Sequence, residues 1–213
     1  DRRQRQMCIR DRPMGGCCLW NKGCKRKISY PPTSLRSWLH HLSRHLKILN
    51  SLYAKPLNAL EFSLYGDVIE LREDNLKFSI NQGTAVRHHA LSKVELSDAN
   101  DEAIVSIFLT EQAALPFTAD AMECHPLGSQ AFIPLSDSPY LVAVAPAGQF
   151  KPQSVELFIA QPNQGVNYHK GVWHHYLLAL REASRFLVID RQGPGINCEE
   201  VKLDPRLIFS VEE

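Results

Sequence analysis

The chain has no apolar run near the roughly 18 residues that a membrane-crossing helix needs, so no helical span is expected. Its basic start is not followed by an apolar core with a small-residue cleavage site, and nothing marks it for export. It has no internal repeat and no C-x-x-C or Cys/His finger spacing, which argues against solenoids and zinc modules. Beyond Asn50 the only cysteines are Cys124 and Cys198. Two scattered thiols in so long and apolar a stretch suggest no disulfide framework, and they fit a reduced, cytoplasmic setting.

Charge of one sign is scarce in each part of the chain, though the whole is nearly neutral. Asp1 to Asn50 holds 12 Lys/Arg against 2 Asp/Glu, a balance of +10, whereas Ser51 to Glu213 holds 12 against 21, a balance of −9. The opening DRRQRQMCIRDR has no hydrophobic period and no cap, and it looks like translated adapter sequence. Residues 1–50 are therefore expected to form a basic, non-domain extension, artefactual or disordered, with a short amphipathic stretch around Leu35, Trp38, Leu39, Leu42 and Leu46. Residues 51–213 are expected to form one domain, and their acidic balance argues against a nucleic-acid partner.

From Leu52 onward the text consists of short β-rich runs parted by Gly, Pro, Asn and Asp: FSINQG, AIVSIFLT, AFIPL, YLVAVAP, VELFIA, GVWHHYLLAL and FLVIDR. Long helical periods are missing. The pattern predicts an all-β sandwich or barrel with a few short helices rather than alternating βα units. Gly165 and Gly171 are expected in turns, where a positive φ carries no Cβ penalty.

Two segments hold polar residues that strands have little structural use for. In Met122-Glu-Cys-His-Pro-Leu-Gly-Ser-Gln, period-two alternation puts Glu123 and His125 on one face, and Gln130 returns to it after the Pro126 to Gly128 turn. In Gln164-Gly-Val-Asn-Tyr-His-Lys-Gly-Val-Trp-His-His, the same alternation gives His174 a face shared with Val172 and Tyr176. A carboxylate, imidazoles and an amide converging on one cavity suit a divalent metal, and they equally suit a metal-free acid/base site.

The spacing Glu123-x-His125-x4-Gln130 resembles the first cupin motif, with Glu and Gln at its outer positions, and Gly171-x-x-His174 resembles the second. Four blocks, INQGTAVRHHAL, HPLGSQAFIPL, QGVNYHKGVWHHYLLAL and FLVIDRQGPGINCEE, are similar to the ureidoglycolate lyase family over about Leu52 to Phe209. That resemblance implies a cupin (RmlC-like jelly-roll) barrel, a cytoplasmic homodimer and a divalent metal, nickel by the usual attribution. It further implies cleavage of (S)-ureidoglycolate to glyoxylate and urea in allantoin, and hence purine, breakdown for nitrogen use.

Such a cleavage needs a base for the hydroxyl proton and an acid for the departing nitrogen. Glu123 or His125 is suited to the first task, and Tyr168, Lys170 or His174 to the second. His125 and His174, with Glu123 or Gln130, would hold a metal. Arg87 and Arg191 offer a guanidinium clamp for the substrate carboxylate, and Gln130 and Asn167 complete the expected substrate contacts. The rivals are a metal-dependent cupin acting on a related ureido acid and a non-catalytic module that binds a small carboxylate.

Overall fold

The computed structural model describes residues 50–212. Expectations for residues 1–49, the amphipathic stretch among them, fall outside the described residues. The regular structure of the described residues is almost entirely strand, as expected. In order the strands are β1 (Ser51–Tyr53), β2 (Lys55–Pro56), β3 (Gly66–Ile69), β4 (Lys77–Ile80), β5 (Ala85–His88), β6 (Glu102–Thr110), β7 (Phe117–Cys124) and β8 (Gln130–Pro134). They continue as β9 (Tyr140–Ala145), β10 (Glu156–Ala160), β11 (Gly165–Tyr168), β12 (Trp173–His174), β13 (Leu178–Ala179), β14 (Ser184–Gln192) and β15 (Glu199–Ser210).

Eight strands form one sheet in the order β1-β15-β7-β12-β9-β10-β2, with β13 also paired to β9; five form a second, β3-β11-β8-β14-β6; β4 and β5 make a separate hairpin. The two large sheets close on a shared core. Tyr140, Val142, Val144 and Phe158 from the first pack with Phe132, Val166, Phe186 and Val188 from the second. Strand β9 is buried at every position because its alternate residues Leu141, Ala143 and Ala145 enter a second core with Met122, Leu157 and Phe209. That explains its unbroken apolar sequence, since a strand covered on both faces has no polar face to show. Tyr140 ties the sheets together: its ring lies 5.0 Å from Phe186, and its hydroxyl donates to the Gln164 carbonyl at 2.8 Å.

Helix is confined to short turns. Asn58 caps the one-turn helix Ala59–Phe62 by accepting from the Glu61 N–H at 2.9 Å, and this swings Phe62 into the core against Tyr65, Phe158 and Tyr168. Burying a side chain of that size is worth about 1.5–3 kcal/mol.

Three departures from the sequence reading have physical causes. Strand β15 was hidden by its charged residues and by Pro205, which has no N–H for the ladder; the pairing with β7 shifts register between Lys202 and Leu207, so the proline sits in an irregularity rather than in the ladder. GVWHHYLLAL is broken into β12 and β13. Its alternation ends at His174, and Tyr176 is 53% exposed where His174 is 1% exposed, so they do not share a face. Gly171 does take φ +74, but Gly165 lies inside β11, where a Cβ would stand 2.8 Å from the Phe132 carbonyl oxygen. Close strand approach, not a turn, requires glycine there.

Candidate active site

Strand register assembles the centre of the site. On β12, His174 is paired with Glu123 of β7 on one side and with Val144 of β9 on the other. Directly paired antiparallel residues project to the same face, and Val144 belongs to the core between the sheets. Glu123 and His174 therefore look into the barrel. His125 follows β7 by one residue, and its carbonyl accepts from Gly171 N–H at 2.9 Å, which fastens the β7 end to the loop before β12. Gln130 opens β8 on the facing sheet, and Tyr168 ends β11 beside it in register.

These elements bring Glu123, His125 and His174 together, with ligating atoms all within 4.8 Å of one another. Rings stack around them. Tyr168 lies on His174 at 4.4 Å with planes 17° apart, and the His125 ring is 5.1 Å from that of His174. His125 Nε2 is 3.2 Å from Gln130 Oε1, and His174 Nε2 is 3.6 Å from Glu123 Oε1.

Backbone carbonyls fix both tautomers. His174 Nδ1 faces the Val172 oxygen at 3.1 Å, and His125 Nδ1 faces the Asn197 oxygen. A carbonyl can only accept, so each Nδ1 carries the hydrogen and each Nε2 of a neutral ring presents a lone pair to the centre. Among the described residues His174 Nε2 is buried without a hydrogen-bond partner. Imidazole lone pairs thus confront a carboxylate and an amide oxygen, and a cation between them would relieve the contact. The residues present fit a divalent metal, because two oriented imidazoles plus oxygen donors are its usual ligands.

Electrostatics follow from burial and neighbours. Burial works to raise Glu123, yet the facing His174, with His125 and His175, outweighs it and holds the carboxyl below its ordinary range. His125 is lowered by burial and by His174, against the support of the Asn197 carbonyl. Tyr168 is raised by complete burial and by Glu123, and its hydroxyl has no partner. The site accordingly holds an ionised carboxylate, a neutral His125 and a protonated phenol near neutral pH. Cys198, with its Sγ 3.9 Å from Glu123 Oε2, and Glu200 form a second group around the same carboxylate.

The remaining residues singled out in the sequence lie elsewhere. Arg191 is ion-paired with Asp101, both side chains buried, and also donates to the Pro194 carbonyl, so its guanidinium is committed to the fold. Arg87 stands exposed on the β4–β5 hairpin, which pairs with neither large sheet. Lys170 extends its ammonium toward Ser97 Oγ at 3.4 Å, exposed, while its backbone N–H donates to Glu95. Asn167 points away from Tyr168 and donates to the Lys93 carbonyl at 3.1 Å. Asp190 was not foreseen. Phe186, Val188 and Asp190 alternate along β14, and a carboxylate at the third position of a buried face was the signal available in FLVIDR.

A nearly closed all-β barrel with an imidazole and carboxylate cluster between its sheets is the architecture of a cupin-type small-molecule enzyme. Comparison with known proteins makes this specific. The family model described as ureidoglycolate lyase matches residues 49–210, and the chain belongs to that family. Proteins named ureidoglycolate lyase from Azotobacter vinelandii, Pseudomonas fluorescens and Burkholderia mallei are similar to it at 48%, 45% and 44% identity. These matches span 70%, 76% and 75% of this chain and 90%, 98% and 93% of theirs.

Proposed function

We propose that the protein cleaves (S)-ureidoglycolate to glyoxylate and urea, with Glu123, His125, Tyr168 and His174 as its working groups. The observation that carries this reading is the convergence, from the two facing sheets, of an ionised carboxylate, two oriented imidazoles and a buried phenol unpartnered among the described residues. A carboxylate-binding module without catalysis has no use for such a set.

Ureidoglycolate carries a hydroxyl, a carboxylate and a ureido nitrogen on one carbon, and its cleavage is redox-neutral. The hydroxyl proton leaves as the C=O of glyoxylate forms, the C–N bond breaks with its electron pair going to nitrogen, and a proton is delivered to that nitrogen. Glu123, with Oε1 facing His174 and Oε2 near Cys198 Sγ, takes the hydroxyl proton and returns it to the departing nitrogen. Tyr168 stays protonated through the shift that burial imposes, so it enters turnover as a hydrogen-bond donor to the departing nitrogen. His125, His174 and Glu123, with Gln130 beside them, would hold a divalent metal, nickel by family resemblance, which when bound supplies Lewis acidity at the hydroxyl oxygen. Lys170 sits in the loop that Gly171 fastens to His125, and its exposed ammonium is proposed to turn from Ser97 to the substrate carboxylate, a role that paired Arg191 cannot take.

The same reading puts the enzyme in allantoin breakdown, in the cytoplasm and in a homodimer. Edge strand β6 shows Val105, Ile107 and Leu109 at 65%, 52% and 76% exposure, and such an apolar edge invites a second copy. The test of the activity is to supply ureidoglycolate and follow glyoxylate, urea and ammonia together. Equal release of glyoxylate and urea is expected; ammonia in place of urea would make the protein a hydrolase, and no glyoxylate would end the assignment.

A further inference from the structure

Asp190 is a carboxylate on the inner wall of the barrel whose Oδ1 is buried with no hydrogen-bond partner among the described residues. The pairing of Ile189 with Ala131 sets it next to Gln130 across the β14–β8 ladder. Gln130 itself turns Oε1 toward His125 Nε2 at 3.2 Å. Asp190, Gln130 and His125 thus form a row that ends at the catalytic cluster.

Asp101 shows how this chain satisfies a structural carboxylate. It is answered by Arg191 and by the backbone N–H groups of Ser97 and Asp98. Among the described residues no such cation pairs with Asp190, and a neighbouring amide does not offset what it costs to take a carboxylate out of water. A buried acceptor left open beside a reaction centre is completed by what binds there.

We propose that Asp190 is the residue that selects the ureido group: its open oxygen accepts an N–H of the terminal amide of a ureido acid, while Gln130 holds the carboxylate in place. The inference rests on the reading of this site as one for a ureido acid, and it adds which side chain recognises that end. Urea keeps its N–H donors when the C–N bond breaks, so one contact steadies the leaving group from substrate to product.

The test uses hydantoate (N-carbamoylglycine), which has the ureido and carboxylate groups but lacks the hydroxyl and cannot be cleaved. Its affinity for the full chain and for Asp190→Asn is measured by titration calorimetry, with glycolate, which lacks the ureido group, as the control. The expected result is a loss of about tenfold or more for hydantoate, as when a site built for a donor loses its match, with glycolate unchanged. Equal hydantoate affinity in the variant, an equal loss for both ligands, or no hydantoate binding by the unmodified protein would overturn the proposal. Should Asp190→Asn not fold, the unmodified protein decides alone. N-acetylglycine, with a methyl in place of the terminal amide, should bind about tenfold more weakly than hydantoate, and equal binding refutes the contact. Because hydantoate binding needs no turnover, its dependence on Asp190 stands or falls separately from ureidoglycolate cleavage.

Discussion

His174 Nε2 and Glu123 Oε1 face each other at 3.6 Å across a directly paired position of β7 and β12, and the other nitrogen of His174 is bonded to the Val172 carbonyl. With Nδ1 committed to Val172, the ring turns its other nitrogen toward a carboxylate. A divalent cation between them would take one ligand atom from each, and the neighbouring His125 offers a third. Replacing His174 or His125 by Ala should lower turnover by about 100- to 10,000-fold and should remove bound divalent metal, read by elemental analysis. His125→Ala, at a partly exposed position, should shift unfolding by only about 1 kcal/mol. Retention of both metal and glyoxylate release by the two variants would take these residues out of the mechanism.

Lys170 and Arg191 should part ways under mutation, although both are cations in blocks shared with the family. Lys170→Ala is expected to raise KM about tenfold with kcat little changed, because a contact made equally in ground and transition states acts on binding alone. Arg191→Ala is expected to lower the melting temperature before it changes kinetics, since it strips the partner from buried Asp101. An Arg191→Ala protein of normal stability and tenfold higher KM would reverse the two assignments.

The Asp101–Arg191 pair also fixes a pH dependence. The hydrogen bond from Arg191 is the main cause that lowers the Asp101 carboxyl, helped by the backbone N–H groups of Asp98 and Ser97. A depressed folded-state value means that the unfolded chain binds the proton more readily. The stabilisation is therefore complete above the unfolded carboxyl value of about 4, and it drains away as pH falls through the lower, folded-state value. Thermal unfolding followed from pH 7 downward should show an acid-induced loss that is smaller in Asp101→Asn, whose melting temperature should already be reduced at pH 7. Parallel acid profiles for the two proteins would rule out this pair as a source of the effect.

How much of this was legible beforehand depended on whether a feature was local. Strands such as β9 and β10 stand out because covered strands are unbroken apolar runs, and Glu123 and His125 could be put on one face from period-two spacing alone. That His174 meets them rests on β12 lying between β7 and β9, a long-range pairing that only the motif resemblance anticipated. Arg191 shows the opposite case: its chemistry fitted a substrate clamp, but Asp101, far away in sequence, already occupies it. Asp190 went unremarked because a lone Asp ending an apolar strand looks like the start of a turn, and only the β14–β8 register turns it inward.

The exposed edge of β6 leads to a prediction about assembly. Val105, Ile107 and Leu109 alternate outward beside Leu187 and Ile189 of β14, so the outer face of the five-stranded sheet is apolar over neighbouring strands. Ile107→Lys should convert a dimer into a monomer in sedimentation equilibrium, with folding retained because the side chain is already half exposed. A monomer before the change, or a dimer that survives it, would move the interface elsewhere.

The leading segment gives the last prediction, in which the position of the cut matters. Charge and cysteine usage change near residue 50, and the family match begins at residue 49. The barrel uses the chain from Asn50 onward: the Asn50 carbonyl accepts from Ile208 N–H at 2.8 Å, β1 runs parallel to β15 from Ser51, and Ala54 N–H donates to Ser210 at 2.9 Å. Deleting residues 1–48 should therefore leave both cooperative unfolding and turnover intact. Deleting residues 1–53 should not, because it strips β1 from the edge of β15, and each lost backbone bond is worth about 0.5–1.5 kcal/mol. Differential scanning calorimetry of the two truncations against the full chain separates the cases. If the shorter deletion already broadens or lowers the transition, the basic segment takes part in the fold; if the longer one is harmless, β1 is dispensable and the domain starts later than its first strand.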